Sequence, residues 1–466
     1  MCEFCNGNHL EYQSKSAGQD ASSLSARTTL SEEAGNLLLG ETEKRLAKPT
    51  LNTDSGATSR DATSIDLAKP ADAASDKPFE SADPLKKYGV DVRIVDGQKE
   101  VFYKADQADH VVLRAPLTSS SDELSAQVNN FVDKRIGEIE SRYHVDFAKE
   151  GEEVEKQITR DPSTCEPGRG DMIHAVKPTL PALYGLEDGL RRTSPSQYTA
   201  DGKSGVKVYI LDKGIAPNIY GNKPILGMYT DDKEKRPALY MTPAGMELPP
   251  TTKDASAAGK DPTRNISWIT IHETTHNSQK NNWPTKFVPE DVSKELGWNV
   301  FNIDQEGKTI YQFFQFKGKD GAYYQHGSTG CTSPSTWYRA AENGGALDAQ
   351  GNKVVKIADA QRFTNEQVID NAQVKPFTYY FMNPREMLSE GLTAYRSGSE
   401  FRAKLAQTSP QLYSSVAKYD QAEIDKFYGL TWYRGSTHIR NPDGDVVPNT
   451  WSAWWTNRQF ENSLQK

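Results

Sequence analysis

Cysteine is scarce in this chain: four residues (Cys2, Cys5, Cys165 and Cys331) in 466, too few and too scattered for a disulfide framework. A reducing compartment suits such a sequence. No run of about 18 apolar residues occurs, so no transmembrane helix is expected. No basic block stands out either. The net charge is −8 and the pI is near 5.7, which argues against nucleic-acid partners, because phosphate contacts need clustered Lys and Arg. The first residues, Met1 to Cys5, carry neither the basic nor the apolar region of a signal peptide. Any export is therefore expected to proceed without a classical signal. Cys2, Cys5 and His9 make half a zinc site at most, since no second pair lies nearby.

Large side chains are also missing from the start. All 8 Trp fall at or after Trp268, and residues 10 to 85 hold little that is large and apolar beyond Tyr12, Phe79 and a few leucines. With a mean hydropathy of −0.72, residues 1–84 read as a disordered leader, because such a segment cannot bury enough apolar surface to offset its chain entropy.

Order is expected from Tyr88. Val90, Val92 and Ile94 alternate with polar residues, Asp96-Gly97 signals a turn, and Val101 and Tyr103 resume the alternation, a β-hairpin pattern that His110 to Leu113 extends by a third strand. Ser121-Asp122 then caps a helix whose apolar stripe runs through Leu124, Val128, Phe131, Ile136, Ile139 and Tyr143. Residues 85–160 thus read as a small α+β domain, and 161–181, with four prolines and Arg169-Gly170-Asp171, as a linker. That tripeptide can serve as an adhesion ligand on an exposed loop. Residues 182–466 read as the larger domain, with strands at 206–211, 225–229 and 238–241.

The densest chemistry lies at His272-Glu273-Thr274-Thr275-His276, an HExxH pattern. On a helix buried on one side, imidazoles at i and i+4 share a face and can donate two nitrogens to one zinc ion, with Glu273 beside the water that the ion activates. Glu273 is expected to take that water's proton and pass it to a leaving amine. A third ligand is needed. The candidate lies at Asn383-Pro384-Arg385-Glu386-Met387-Leu388-Ser389-Glu390, where Asn383 suits an N-cap and Pro384 the first helical position. Glu386 and Glu390 share one face at i and i+4. Two like charges there make sense beside a metal, one as ligand and one as an acceptor that orients an imidazole.

These two stretches, HETTH and NPREMLSEGLTAY, resemble the gluzincin metalloproteases of the anthrax lethal factor and Pro-Pro endopeptidase type. The resemblance implies an α+β chain whose protease domain is mainly helical and zincin-type with a small sheet. It implies that His272, His276 and Glu386 bind zinc, that Glu273 is the general base, that Glu390 lies in the outer shell, and that Tyr379 stabilises the oxyanion, with Tyr380 its neighbour. The helix near 400–405 and a turn at 410–413 look like the family's continuation. His276 and Glu386 stand 110 residues apart (386 − 276), so residues 277–378 hold an insertion. It contains candidate strands at 310–314 and 323–327 and a lone His326, read as a packed or surface residue.

Together these features lead us to expect a zinc endopeptidase acting on protein or peptide, host protein included, delivered as a bacterial toxin or effector into a host cell with a secretion chaperone at the leader. Two other readings stay open. One is a peptidoglycan amidase, with 266–272 a strand carrying a zinc histidine and Cys331 a ligand. The other is a non-catalytic adhesion protein that uses Arg169-Gly170-Asp171 or the Trp-rich tail.

Overall fold

A computed structural model describes residues 83–464, except 161–166, 194–198, 201–203, 216–225, 247–261, 284–286, 306–307, 328–335, 343, 378–380 and 432–434. The leader up to residue 82, all four cysteines, His9, Tyr379 and Tyr380 lie outside the described residues. The chain is mixed helix and strand, as an α+β reading requires, and no described helix is long and apolar enough to cross a membrane.

Strands β1 (Asp91–Val95), β2 (Gln98–Ala105) and β3 (Ala108–Pro116) form an antiparallel meander, joined at Asp96-Gly97 by a turn with positive φ at both residues. The apolar alternation of β1 faces outward, not into the core: Val92 is 41% and Ile94 70% exposed. This is the edge strand, and the core is filled from β2 by Val101 and Phe102. Helix α1 (Ser121–Tyr143) begins one residue earlier than the sequence implies. Ser120 is the N-cap, its hydroxyl accepting from the Glu123 N–H while Glu123 reaches back to the Ser120 N–H.

Part of the stretch read as a linker is regular structure: Pro167–His174 form a strand and residues 180–181 open a helix. Strands β5 (Glu153–Arg160) and β6 (Pro167–His174) pair antiparallel, after a short β4 (Asp146–Phe147), and α2 (Leu180–Arg192) follows with Thr179 as its N-cap. Arg169-Gly170-Asp171 therefore sits within a strand and not on a free loop. Strands β7 (Lys207–Ile210), β8 (Gly227–Asp231) and β9 (Pro237–Met241) make a second sheet in the order β8-β9-β7-β4, parallel at β9/β7 and β7/β4. One buried cluster joins Leu124, Val128 and Ile139 of α1, Leu183 and Leu186 of α2, Val208 of β7, and Ile266 and Ile269 of the next helix, α3 (Pro262–Asn282).

Residues 277–378 carry more strand than a mainly helical domain would. Strands β10 (Trp298–Gln305), β11 (Lys308–Lys317), β12 (Tyr323–Gly327) and β13 (Thr336–Ala340) run antiparallel, and two-residue strands at Ala346–Leu347, Lys353–Val354 and Arg362–Phe363 complete a seven-stranded sheet. The chain ends in α4 (Pro384–Arg396), α5 (Ser399–Thr408), α6 (Pro410–Tyr428), a hairpin of β14 (His438–Arg440) and β15 (Val446–Pro448), and α7 (Trp451–Leu464). Residues 410–413, expected as a turn, form the first turn of α6. On α7, Trp451, Trp454 and Trp455 stack on one another and stay exposed.

Candidate metal centre

Helix α3 is buried on every side and not on one face. From Asn265 to Gln279 each residue is buried, although most are polar. A polar helix survives in a core only if its side chains find partners. The threonines do so locally: Thr270 donates to the Ile266 carbonyl, Thr274 to the Thr270 and Ile271 carbonyls, and Thr275 to the Ile271 carbonyl. These bonds back onto the preceding turn leave the three buried hydroxyls satisfied without a partner from another element. Two glycines let the helix seat closely. A Cβ at Gly189 of α2 would meet Thr270 at 2.6 Å, and one at Gly227 of β8 would meet Ile269 at 2.5 Å and Glu273 Cγ at 3.4 Å.

Helix α4 starts as its sequence signals. Asn383 Oδ1 accepts from the Arg385 and Glu386 N–H groups, Pro384 takes the first helical position, and the carboxyl of Glu386 falls in the positive first turn. The helix lies across α3 and brings Glu386 between the two histidines. Glu386 Oε2 is 3.2 Å from His272 Nε2 and 3.4 Å from His276 Nε2, and the three donor atoms lie within 4.8 Å of one another. All three residues are buried. Glu390, one turn on, meets His272 Nδ1 at 2.7 Å, and His276 Nδ1 faces Gln279 Oε1 at 3.1 Å.

Charge makes this cluster demanding. Glu273, Glu386 and Glu390 are at most 1% exposed, and three buried carboxylates need positive charge close by. Burial works against a proton on His272, but hydrogen bonds to Glu386 and Glu390 outweigh it and hold the imidazole well above its ordinary range. Burial likewise tends to raise the Glu386 carboxyl, yet His276 and His272 outweigh it and bring it down to about 2. The site is thus built to retain cationic charge, either protons on imidazole or a metal ion in their place. The three residues could hold such an ion.

The expected set His272, Glu273, His276, Glu386 and Glu390 is thereby brought together, and Tyr379 falls outside the described residues. His326 lies elsewhere, half-buried with its ring edge-on to Trp337, and burial pushes its imidazole down to about 4. The strand on which the amidase alternative relied is helical throughout, since 266–272 lie inside α3. Sequence reading missed Arg396 at the end of α4. Fully buried, it donates to Asp420 at 2.7 Å, to Glu423 at 2.8 Å and to Thr275 Oγ1 at 3.3 Å, while Arg440 pairs with the far side of Asp420 at 2.7 Å. A lone arginine at a helix end has no local signature that separates it from a solvated charge. No protein-family model matches the chain, and searches of curated proteins and of solved structures likewise find no match.

Proposed function

We propose that this chain is a zinc-dependent endopeptidase, with His272, His276 and Glu386 as the metal ligands and Glu273 as general base. The observation that carries the reading is the gathering of two buried imidazoles and one buried carboxylate, with ligand atoms within 4.8 Å of one another, on an HExxH helix and the helix that crosses it; the donor spacing is compatible with it. A tetrahedral ion bound at about 2.0 to 2.1 Å places neighbouring donors about 3.3 to 3.4 Å apart, whereas an octahedral ion at that distance brings adjacent donors to about 2.9 Å. The separations of 3.2 and 3.4 Å to Glu386 Oε2 fit the tetrahedral case. Two imidazoles and one carboxylate are also a donor set suited to zinc, and three protein ligands are the number that leaves a position open for chemistry.

Zinc bound there supplies an acidified water and a Lewis acid for a substrate carbonyl. The protein supplies the remainder. Glu390 accepts the Nδ1 proton of His272, which turns Nε2 towards the centre and makes the imidazole a better donor. Glu273 follows His272 directly and is fully buried, so its carboxylate acts in a low-dielectric surrounding. There it removes a proton from the attacking water and returns it to the leaving nitrogen. Strand β8 runs beside Glu273 at Gly227 and is the outer strand of its sheet among the described residues.

Metal analysis and a peptide-library digest, run on wild type and Glu273→Gln, test this. We expect one zinc per chain in both proteins, and cleavage by the wild type alone. Absence of zinc from the wild type at neutral pH, or cleavage that survives chelator, would overturn the proposal.

A further inference from the structure

Gln279 lies one turn beyond His276 on α3 and is 2% exposed. Its amide makes three contacts. Oε1 is 3.1 Å from His276 Nδ1, and Nε2 is 3.0 Å from the Arg385 carbonyl oxygen and 3.0 Å from Ser389 Oγ. Arg385 and Ser389 immediately precede Glu386 and Glu390 on α4. One side chain thus touches the second histidine and the backbone and side chain next to both α4 carboxylates.

Chemistry settles which end of the amide faces which partner. The Arg385 carbonyl can only accept, so the NH2 group must point to it; the flipped amide would set two oxygens against each other. Oε1 is then left to accept from His276, which places the hydrogen on Nδ1 and leaves Nε2 with its lone pair directed at the centre. Ser389 Oγ, 3.4 Å from the same Nδ1, receives the second amide hydrogen. Glu390 does the corresponding work for His272, but as an anion. A fourth carboxylate beside Glu273, Glu386 and Glu390 would add to an already excessive buried negative charge, and a neutral amide avoids that.

We infer that Gln279 is a positioning residue: it sets the tautomer of His276 and ties the HExxH helix to the helix that carries Glu386. The metal-affinity part of this inference rests on the zinc reading above; the tautomer part does not.

Three variants separate the two jobs of the amide. Gln279→Leu keeps the volume and loses both, Gln279→Glu keeps an acceptor for His276 but loses the donors to Arg385 and Ser389, and Ser389→Ala loses only the lesser partner. Zinc affinity is read by competition with a chromophoric chelator, ligand geometry by the visible spectrum of the cobalt-substituted protein, and stability by urea unfolding of zinc-stripped protein. We expect Gln279→Leu to lose roughly 10- to 100-fold in zinc affinity and to change the cobalt spectrum. Gln279→Glu should retain clearly more zinc affinity than Gln279→Leu, because an acceptor for His276 remains, while unfolding at lower urea because a carboxylate oxygen faces the Arg385 carbonyl, and Ser389→Ala should stay near wild type in affinity. A role in packing alone predicts the reverse for Gln279→Glu, whose affinity would fall along with its stability. Wild-type affinity in Gln279→Leu, or parallel losses of affinity in Gln279→Leu and Gln279→Glu, would overturn the inference. Long-range proton–nitrogen correlation on the zinc-stripped chain, at a pH high enough that His276 carries a single ring hydrogen, decides the tautomer independently. His276 should carry its hydrogen on Nδ1 in wild type and shift towards Nε2 in Gln279→Leu; an unchanged tautomer would also count against the role. Failure of wild type to bind zinc would refute the zinc proposal and leave this spectroscopic outcome to judge Gln279.

Discussion

Arg396, Asp420, Glu423 and Arg440 form a buried set of two cations and two anions that reaches Thr275, the neighbour of His276. Removing any member leaves a charge without its counter-ion, so the set is sensitive out of proportion to its size. Burial tends to raise the Asp420 carboxyl, but Arg440 and Arg396 outweigh it and hold it at about 2. The folded value therefore lies below the unfolded one, near 3.9. Stability from this group is full above the unfolded value and is lost as the pH falls from about 4 through about 2, a loss of roughly 2 to 3 kcal/mol in all. Urea unfolding of the zinc-stripped chain between pH 5 and pH 3 should show this slope in wild type. Asp420→Asn should be less stable at pH 5 and should flatten the slope; an identical slope in both proteins would remove Asp420 as its source.

At the scale of elements, the decisive feature is how tightly α3 is held. Gly189 and Gly227 bring α2 and β8 against it, and Gly189 does so at Thr270, two residues before His272. The Cβ of Gly189→Ala would also meet the Ser267 carbonyl oxygen at 2.9 Å. That oxygen is backbone and gives way only if the helix moves. We expect Gly189→Ala to cost about 1 to 3 kcal/mol and to weaken zinc binding, as measured by thermal unfolding and chelator competition. Unchanged melting temperature and affinity would mean that α2 and α3 have slack at this crossing. The contrast with α4 is instructive. Its start was legible from Asn383 and Pro384 because a cap is a contact between residues two or three apart. The burial of α3 was not legible, since its polar composition hides a core helix whose threonine hydroxyls are satisfied by its own backbone and whose Ser267 bonds to Asp188 of α2.

At the scale of the whole molecule, the sheet of residues 298–340 supports the metal centre from below. Trp337 stacks on Phe381 with ring centroids 4.8 Å apart, Phe316 meets Phe381 edge-on, and the Trp298 indole N–H points to Met387 Sδ at 3.2 Å. Met387 follows Glu386 directly, so this aromatic wall packs against α4 one residue from the candidate ligand. Trp298→Ala should cost about 3 to 5 kcal/mol, as burial of a large side chain in a packed core implies, and should also lower zinc affinity although Trp298 is no ligand. Equilibrium unfolding and zinc titration of the variant check both effects. A destabilised protein with wild-type affinity would show that the sheet is a passive insertion.

The sequence by itself determined what depends on neighbours within a turn or a strand: the stripe of α1, the N-cap of α4, the strands near 207–210, 237–241 and 308–317, and the shared face of His272 and His276. It also supplied Glu386 as a candidate ligand through its spacing from Glu390. Tertiary structure decided what depends on distant segments. It brought Glu386 to two histidines 110 and 114 residues earlier (386 − 276 and 386 − 272), made a paired strand of Pro167–His174 within a supposed linker, faced Val92 and Ile94 outward, and placed Gln279 and Arg396 where their hydrogen bonds bear on the site. The reason is physical. Local patterns report the periodicity of a face, while the identity of the partner that covers that face is set by packing over the whole chain.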